Sequence, residues 1–322
     1  MPKPVTMYRW DDEGAPQFAT GKYSEIIAVL DACLLTGYGN KQPLGWTKLF
    51  TETAACCYQN ATGGCVVFSS NTGLDDEKGT YVQACQSAIN STTLVRAGWK
   101  QSVKVFQNSN VNWIVIGTDT AVYVFFGYVS KYDITTTRYA ATFFIGNLSN
   151  AMESDQGKFI AVCSFINHDF SMETSTNPQH GYGRNIEHIN DTQQSNQNGV
   201  KIHDTDNENS SALYYAYAPF LPAKTNSNNL YSQISNSLIA ISLIVNDPDT
   251  ETDRNGESVI ASQTRPACRG TLPGLYSTLC GHRGDALWPA FVIYENAKYM
   301  ILRTTEPRRA PQVILNTEVW ND

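Results

Sequence analysis

The period of hydrophobic and polar positions changes once along this chain. From Ser24 to Leu35 the apolar residues Ile26, Ile27, Leu30, Leu34 and Leu35 recur at the spacing of one helical face. Ser24 stands where a capping hydroxyl is wanted and Gly37 where a helix must end. The pattern therefore predicts a helix over Ser24–Leu35, capped by Ser24 and stopped at Gly37. After Trp46 the chain turns to short runs of β-branched and aromatic residues. Ala55–Gln59 and Cys65–Ser69 flank Asn60-Ala61-Thr62-Gly63-Gly64, which reads as a hairpin. Val103–Gln107, Asn112–Gly117, Ala121–Val129, Ala141–Ile145 and Phe159–Phe165 continue the series. Leu213–Phe220 and Leu238–Val245 resume it, and Phe291–Tyr294, Tyr299–Arg303 and Val313–Asn316 close it as a meander. The predicted fold class is mainly β, antiparallel and sandwich- or barrel-like, with one short N-terminal helix.

Two stretches follow neither period. Residues 1–20 hold Pro2, Pro4, Tyr8 and Trp10 before Asp11-Asp12-Glu13. They read as an extended docking arm, with Tyr8 and Trp10 as the partner-contact residues. Asn167–Ser211 is dense in Asn, Gln, Asp, Ser and His and poor in aliphatics, so it reads as a polar surface insertion. No repeat or linker divides the remainder. One β-rich domain over 21–322 is expected, carrying the insertion at about 167–211.

Composition narrows the partners. Charged residues make up 16% of the chain and the net charge is −7, from 23 Lys+Arg against 30 Asp+Glu. No basic run occurs, which argues against nucleic acid. No apolar run approaches the roughly 20 residues of a membrane helix. The start Met1-Pro2-Lys3-Pro4-Val5 lacks a secretory apolar core, so a protein made in a cytosol, and kept or assembled there, is expected. The eight cysteines lack paired C-x-x-C spacing. They read as buried free thiols rather than zinc ligands, and a disulfide among Cys56, Cys57, Cys65 and Cys85 stays open.

Candidate chemistry is sparse. His168, His180, His188 and His203 fit no ligand spacing and read as solvated. Asp247 to Glu257 looks calcium-like, but its glycine is misplaced for an EF-hand loop, so a hairpin tip is preferred. Asp75-Asp76-Glu77 and Asp11-Asp12-Glu13 read as turn charges rather than a glycosidase pair. No G-x-S-x-G, P-loop or H-E-x-x-H occurs. The chain is expected to be no enzyme, with no catalytic residue, cofactor or metal.

Three stretches resemble a family of tailed-bacteriophage virion structural proteins. The first is Ser24 to Lys48, with Thr36-Gly37-Tyr38-Gly39 and Gly45-Trp46-Thr47-Lys48. The second is Trp113 to Phe125 followed by Phe144-Ile145-Gly146, and the third is Gly270-Thr271-Leu272-Pro273-Gly274-Leu275-Tyr276. They lie in the family's order and bracket nearly the whole chain. The resemblance implies a non-enzymatic virion component, such as a head decoration, neck or collar, or tail or baseplate-associated protein. Its implied partners are other virion proteins and copies of itself, with a trimer preferred. The alternative is a receptor- or glycan-binding tail fibre or spike module, with Tyr and Trp stacking on sugars.

Overall fold

A computed structural model describes residues 2–103, 112–126, 141–163, 200–206, 211–217, 238–244, 250–252, 255, 258–260, 266–278, 289–302 and 313–321. It is mostly antiparallel β with a single short helix near the N-terminus. The three main sheets stack as layers. The first sheet orders Thr47–Glu52, Ala55–Gln59, Cys65–Ser70, Thr80–Cys85 and Gln101–Val103 in chain sequence. The central sheet runs Phe159–Cys163, Ala141–Asn147, Ala121–Phe126, Trp113–Gly117 and Thr6–Arg9 from edge to edge. The third sheet has seven strands and orders Val200–His203, Ser211–Tyr217, Ile239–Ile244, Cys268–Ser277, Val313–Asn316, Ala297–Ile301 and Phe291–Tyr294.

Alternation explains the layering. Along Trp113-Ile114-Val115-Ile116, Trp113 and Val115 pack into one core while Ile114 and Ile116 pack into another. The neighbouring strands obey the same rule. Val122, Val124 and Phe126 face the helix and the first sheet, and Tyr123 and Phe125 face the third. A strand buried on both faces needs no polar side, so it reads as an unbroken apolar run. The expected β fold is present, with three layers where a two-sheet sandwich has two.

The helix spans Tyr23–Asp31 and widens into a π turn over Ala32–Thr36 before Gly37, whose φ of +73° lies in the left-handed region. A side chain at Gly37 would meet the Lys41 carbonyl at 2.3 Å, so the turn needs glycine. Ser24 is not the cap. It lies inside the first turn and gives its N–H and hydroxyl to Asp75, at 2.9 and 2.8 Å. A carboxylate from a distant turn thus takes up an orphan donor at the helix start. Glu25 reaches back to accept the N–H groups of Ala19, Thr20 and Gly21. Burial works against its charge, but those bonds hold its carboxyl below the usual range. Lys48 clamps the far end of the helix through Asp31 at 2.8 Å, which also accepts from Tyr58 at 2.6 Å.

The N-terminal segment is a structural part of the body in this chain. Pro2–Pro4 pairs with Val319–Asn321, and Thr6–Arg9 is the edge strand of the central sheet, with Tyr8 opposite Val115. Its backbone groups find partners on the chain's own sheet edges, the arrangement that costs least for an extended segment. Most of the polar stretch 167–211 lies outside the described residues. Its described end departs from the expectation: Val200 and Ile202 alternate into the second core, which makes Val200–His203 an edge strand of the third sheet.

Candidate functional site

The residues expected to contact a partner are used internally. Tyr8 is fully buried and donates its hydroxyl to the Gln42 carbonyl. Burial pushes that phenol well above its ordinary value. Trp10 is half-buried against both cores, beneath the Arg9 guanidinium 5.2 Å from its ring centroid. Apolar area that the sequence offered to a partner is spent on the chain's own sheets. Neither residue lies at the cavity described below.

That cavity has a volume of about 320 Å³ and opens where the first, central and third sheets come together. Its walls are the hairpin Thr62–Gly64, the strand end Ala84–Gln86, residues of the segment Arg96–Gln101, Asn147 with the opposing Asp155–Ala161, and Lys201–His203. Asn60 shapes the hairpin, its Oδ1 accepting from the N–H groups of Thr62 and Gly64 at 3.1 and 2.9 Å. Gln101 spans two sheets by donating to the Ala161 carbonyl at 2.6 Å.

Asp155 in that lining belongs to a buried ion pair. Arg269 grips Asp155 through two parallel bonds of 2.8 and 2.7 Å, with the side chains 0% and 1% exposed. A third bond of 2.7 Å runs to the His203 carbonyl, and the guanidinium lies 5.4 Å above the Tyr214 ring. Burial opposes the charge on Arg269, yet the Asp155 bonds win and hold its pKa above the ordinary value. Gly157 makes this possible: a side chain there would sit 2.4 Å from the His203 carbonyl and 2.7 Å from Arg269 Nη2.

The cavity is cationic. Arg96, Lys158 and Lys201 line it, and the one acid among its described lining residues, Asp155, is already matched by Arg269. Arg96 is buried and donates to the Asp204 carbonyl, and burial lowers its pKa. His203 was expected in solvent but is 8% exposed. Its Nε2 lies 3.0 Å from the Ala97 carbonyl, which can only accept, so Nε2 carries the proton. Nδ1 has no partner among the described residues. The half-buried Trp99 adds an aromatic surface.

No protein-family model matches the chain, and no curated protein matches it. Among the described residues no group of three or more His, Cys, Asp or Glu side chains is placed to hold a metal ion. Asp75, Asp76, Asp11 and Asp12 serve local structure: Asp75 at the helix start, Asp76 with Thr72, Asp11 with Arg9 and Asp12 with Tyr38. In the Asp247–Glu257 stretch, Thr250–Thr252 pairs with Ser258–Ile260 as the expected hairpin. His168, His180 and His188 lie outside the described residues. Sequence reasoning missed the cavity because Asp155 and Arg269 stand 114 residues apart. The one local signal was the alternation of Val200-Lys201-Ile202 inside an otherwise polar stretch.

Proposed function

We propose that this chain is a non-enzymatic structural component of a tailed-phage particle. It acts through contacts with other virion proteins and with copies of itself, as a trimer. The supporting observation is the outer face of the first sheet. Thr47–Glu52 is an edge strand, and Leu49 on it is 43% exposed. Beside it the hairpin of Ser87–Asn90 and Thr93–Val95 is tied down by Ser91, which donates to Glu52 through its N–H and hydroxyl at 3.1 and 2.6 Å. Ile89 and Val95 stand out from that hairpin at 76% and 46% exposure. Exposed aliphatics grouped beside a sheet edge are a surface that folded proteins otherwise blunt, and assembly proteins use it. The variant Leu49→Asp/Ile89→Asp/Val95→Asp is expected to stay folded, with an unchanged thermal midpoint, while light scattering falls from trimer to monomer mass. A variant that keeps the trimer mass removes this face from the account.

The cavity favours a second reading, a glycan-binding module. Trp99 offers a stacking surface, and Arg96, Lys158 and Lys201 suit an acidic saccharide. Binding to an array of sialylated and uronic-acid glycans is expected to disappear in Trp99→Ala and to weaken with salt. Binding that survives Trp99→Ala rejects the reading.

A further inference from the structure

Three thiols meet beneath the hairpin that covers the first sheet. Cys57, Cys65 and Cys85 form a buried cluster with Val67, and Phe50, Ala88, Leu94 and Ala97 pack against them. Their strands place them there. Cys65 lies directly opposite Cys85, and Cys57 lies opposite Val67, two residues along from Cys65. Residues directly opposite across an antiparallel ladder have Cα atoms about 4.5–5.5 Å apart, inside the range a disulfide bridges. A diagonal neighbour sits at roughly 7–8 Å, at or beyond its limit.

The environment of Cys65 differs from that of its neighbours. Its sulfur accepts from Gln59 Nε2 at 3.6 Å and lies beside the Cys57 thiol, while its own thiol donates to the Gly63 carbonyl at 3.5 Å. The neighbouring Cys57 thiol, with Gln59 and the Ala88 backbone, lowers the Cys65 thiol to about 7. Holding its proton for Cys65 raises the Cys57 thiol well above its usual range, and burial raises Cys85 to about 12. One sulfur of three is thus prepared as the thiolate, the nucleophilic form. The nearest opening is the cationic cavity, which Gly63, Gly64 and Cys85 line; Cys65 itself is buried directly behind them, next to Gly64 in the chain and opposite Cys85 in the ladder.

We propose that Cys65 and Cys85 are a redox site at which a small hydroperoxide forms a cross-strand disulfide, with Cys57 as the positioning thiol. The Cys65 thiolate attacks one peroxide oxygen, the O–O bond breaks and, with hydrogen peroxide, the departing hydroxide takes a proton and leaves as water. Cys65 is then a sulfenic acid. The Cys85 sulfur attacks the Cys65 sulfur, the S–O bond breaks, and the Cys85 proton leaves with the oxygen as a second water. The two thiols have lost two electrons and two protons, and the peroxide has been reduced to two waters.

The test treats the full native chain with hydrogen peroxide, blocks free thiols and maps the peptides. The expected product is lighter by two hydrogens and links Cys65 to Cys85, and it forms before the exposed Cys268 oxidises. Cys85→Ser is expected to halt the reaction at a Cys65 sulfenic acid that dimedone traps. Cys57→Ala should slow it about tenfold, and Cys57→Ser, which keeps a donor, should restore most of the rate. Linkage of Cys65 to Cys57, a dimedone adduct on a different cysteine, or oxidation of Cys268 with the cluster still reduced each overturn the proposal. So does a Cys57→Ala rate equal to that of the unmodified chain.

Discussion

Replacing Asp155 by alanine is expected to cost about 3–5 kcal/mol of folding stability, the typical loss when one partner of a buried ion pair is removed. The magnitude follows from where the pair lies. Both side chains are excluded from water, and Arg269 makes two parallel bonds to this carboxylate. Without it the guanidinium keeps the His203 carbonyl but has no counter-charge. Its Nη1 already has no partner among the described residues, so the site has no spare acceptor to offer. The double variant Asp155→Leu/Arg269→Met removes both charges and fills similar volume. It is expected to recover most of the loss, because a matched apolar pair often equals a buried ion pair. Urea unfolding followed by tryptophan fluorescence measures both. A single variant that loses less than about 1 kcal/mol, or a double variant worse than the single, shows that the pair does not organise this region.

The second large effect is at Trp320. Trp320→Ala is expected to cost about 3–5 kcal/mol, the usual range for truncating a buried large aromatic. The indole is 1% exposed and packs edge-on against Tyr123 with centroids 5.4 Å apart. Its Nε1 donates to the Asn316 carbonyl at 2.8 Å. Gly274 makes room for it: a side chain at that position would lie 2.1 Å from Nε1, and its φ of +66° also favours glycine. Here the ladder between Ile239–Ile244 and Cys268–Ser277 jumps register, with Pro273 turning its carbonyl to the Tyr123 hydroxyl at 2.9 Å. Trp320 also sits on the strand that pairs with Pro2–Pro4, opposite Lys3. Its loss should therefore loosen both chain ends as well as the core. The expected readout is a lowered thermal midpoint with hydrogen exchange at Lys3 to Tyr8 accelerated. A stable variant with unchanged exchange there contradicts the account.

The elements were more legible in the sequence than their arrangement. The helix face of Ile26, Ile27 and Leu30 and the hairpin at Asn60–Gly64 stand in local pattern and turn chemistry, and both are present. Ser24 was misread because the group that serves the helix start, Asp75, lies 51 residues away. The runs around Trp113–Gly117 and Ala121–Phe126 announced burial without saying that both faces are covered, and so hid the third layer. Tyr8 and Trp10 illustrate the same limit: an aromatic on an extended segment needs burial, and the pattern does not say whose surface supplies it. The strand Cys268–Ser277 escaped notice because Pro273 and Gly274 mark a loop in most contexts. The cavity was the least legible feature. Arg96, Asp155 and Lys201 come from three separate segments, Asp155 is held by Arg269 from a fourth, and none carries a local motif.

The measurement that tests the central claim most directly is quantitative mass spectrometry of purified tailed particles from cells that express this chain. The account predicts the chain in the particles at a fixed copy number that is a multiple of three, resistant to salt washing and reduced in particles made with the Leu49→Asp/Ile89→Asp/Val95→Asp variant. A chain abundant in the lysate but absent from the particles would contradict it.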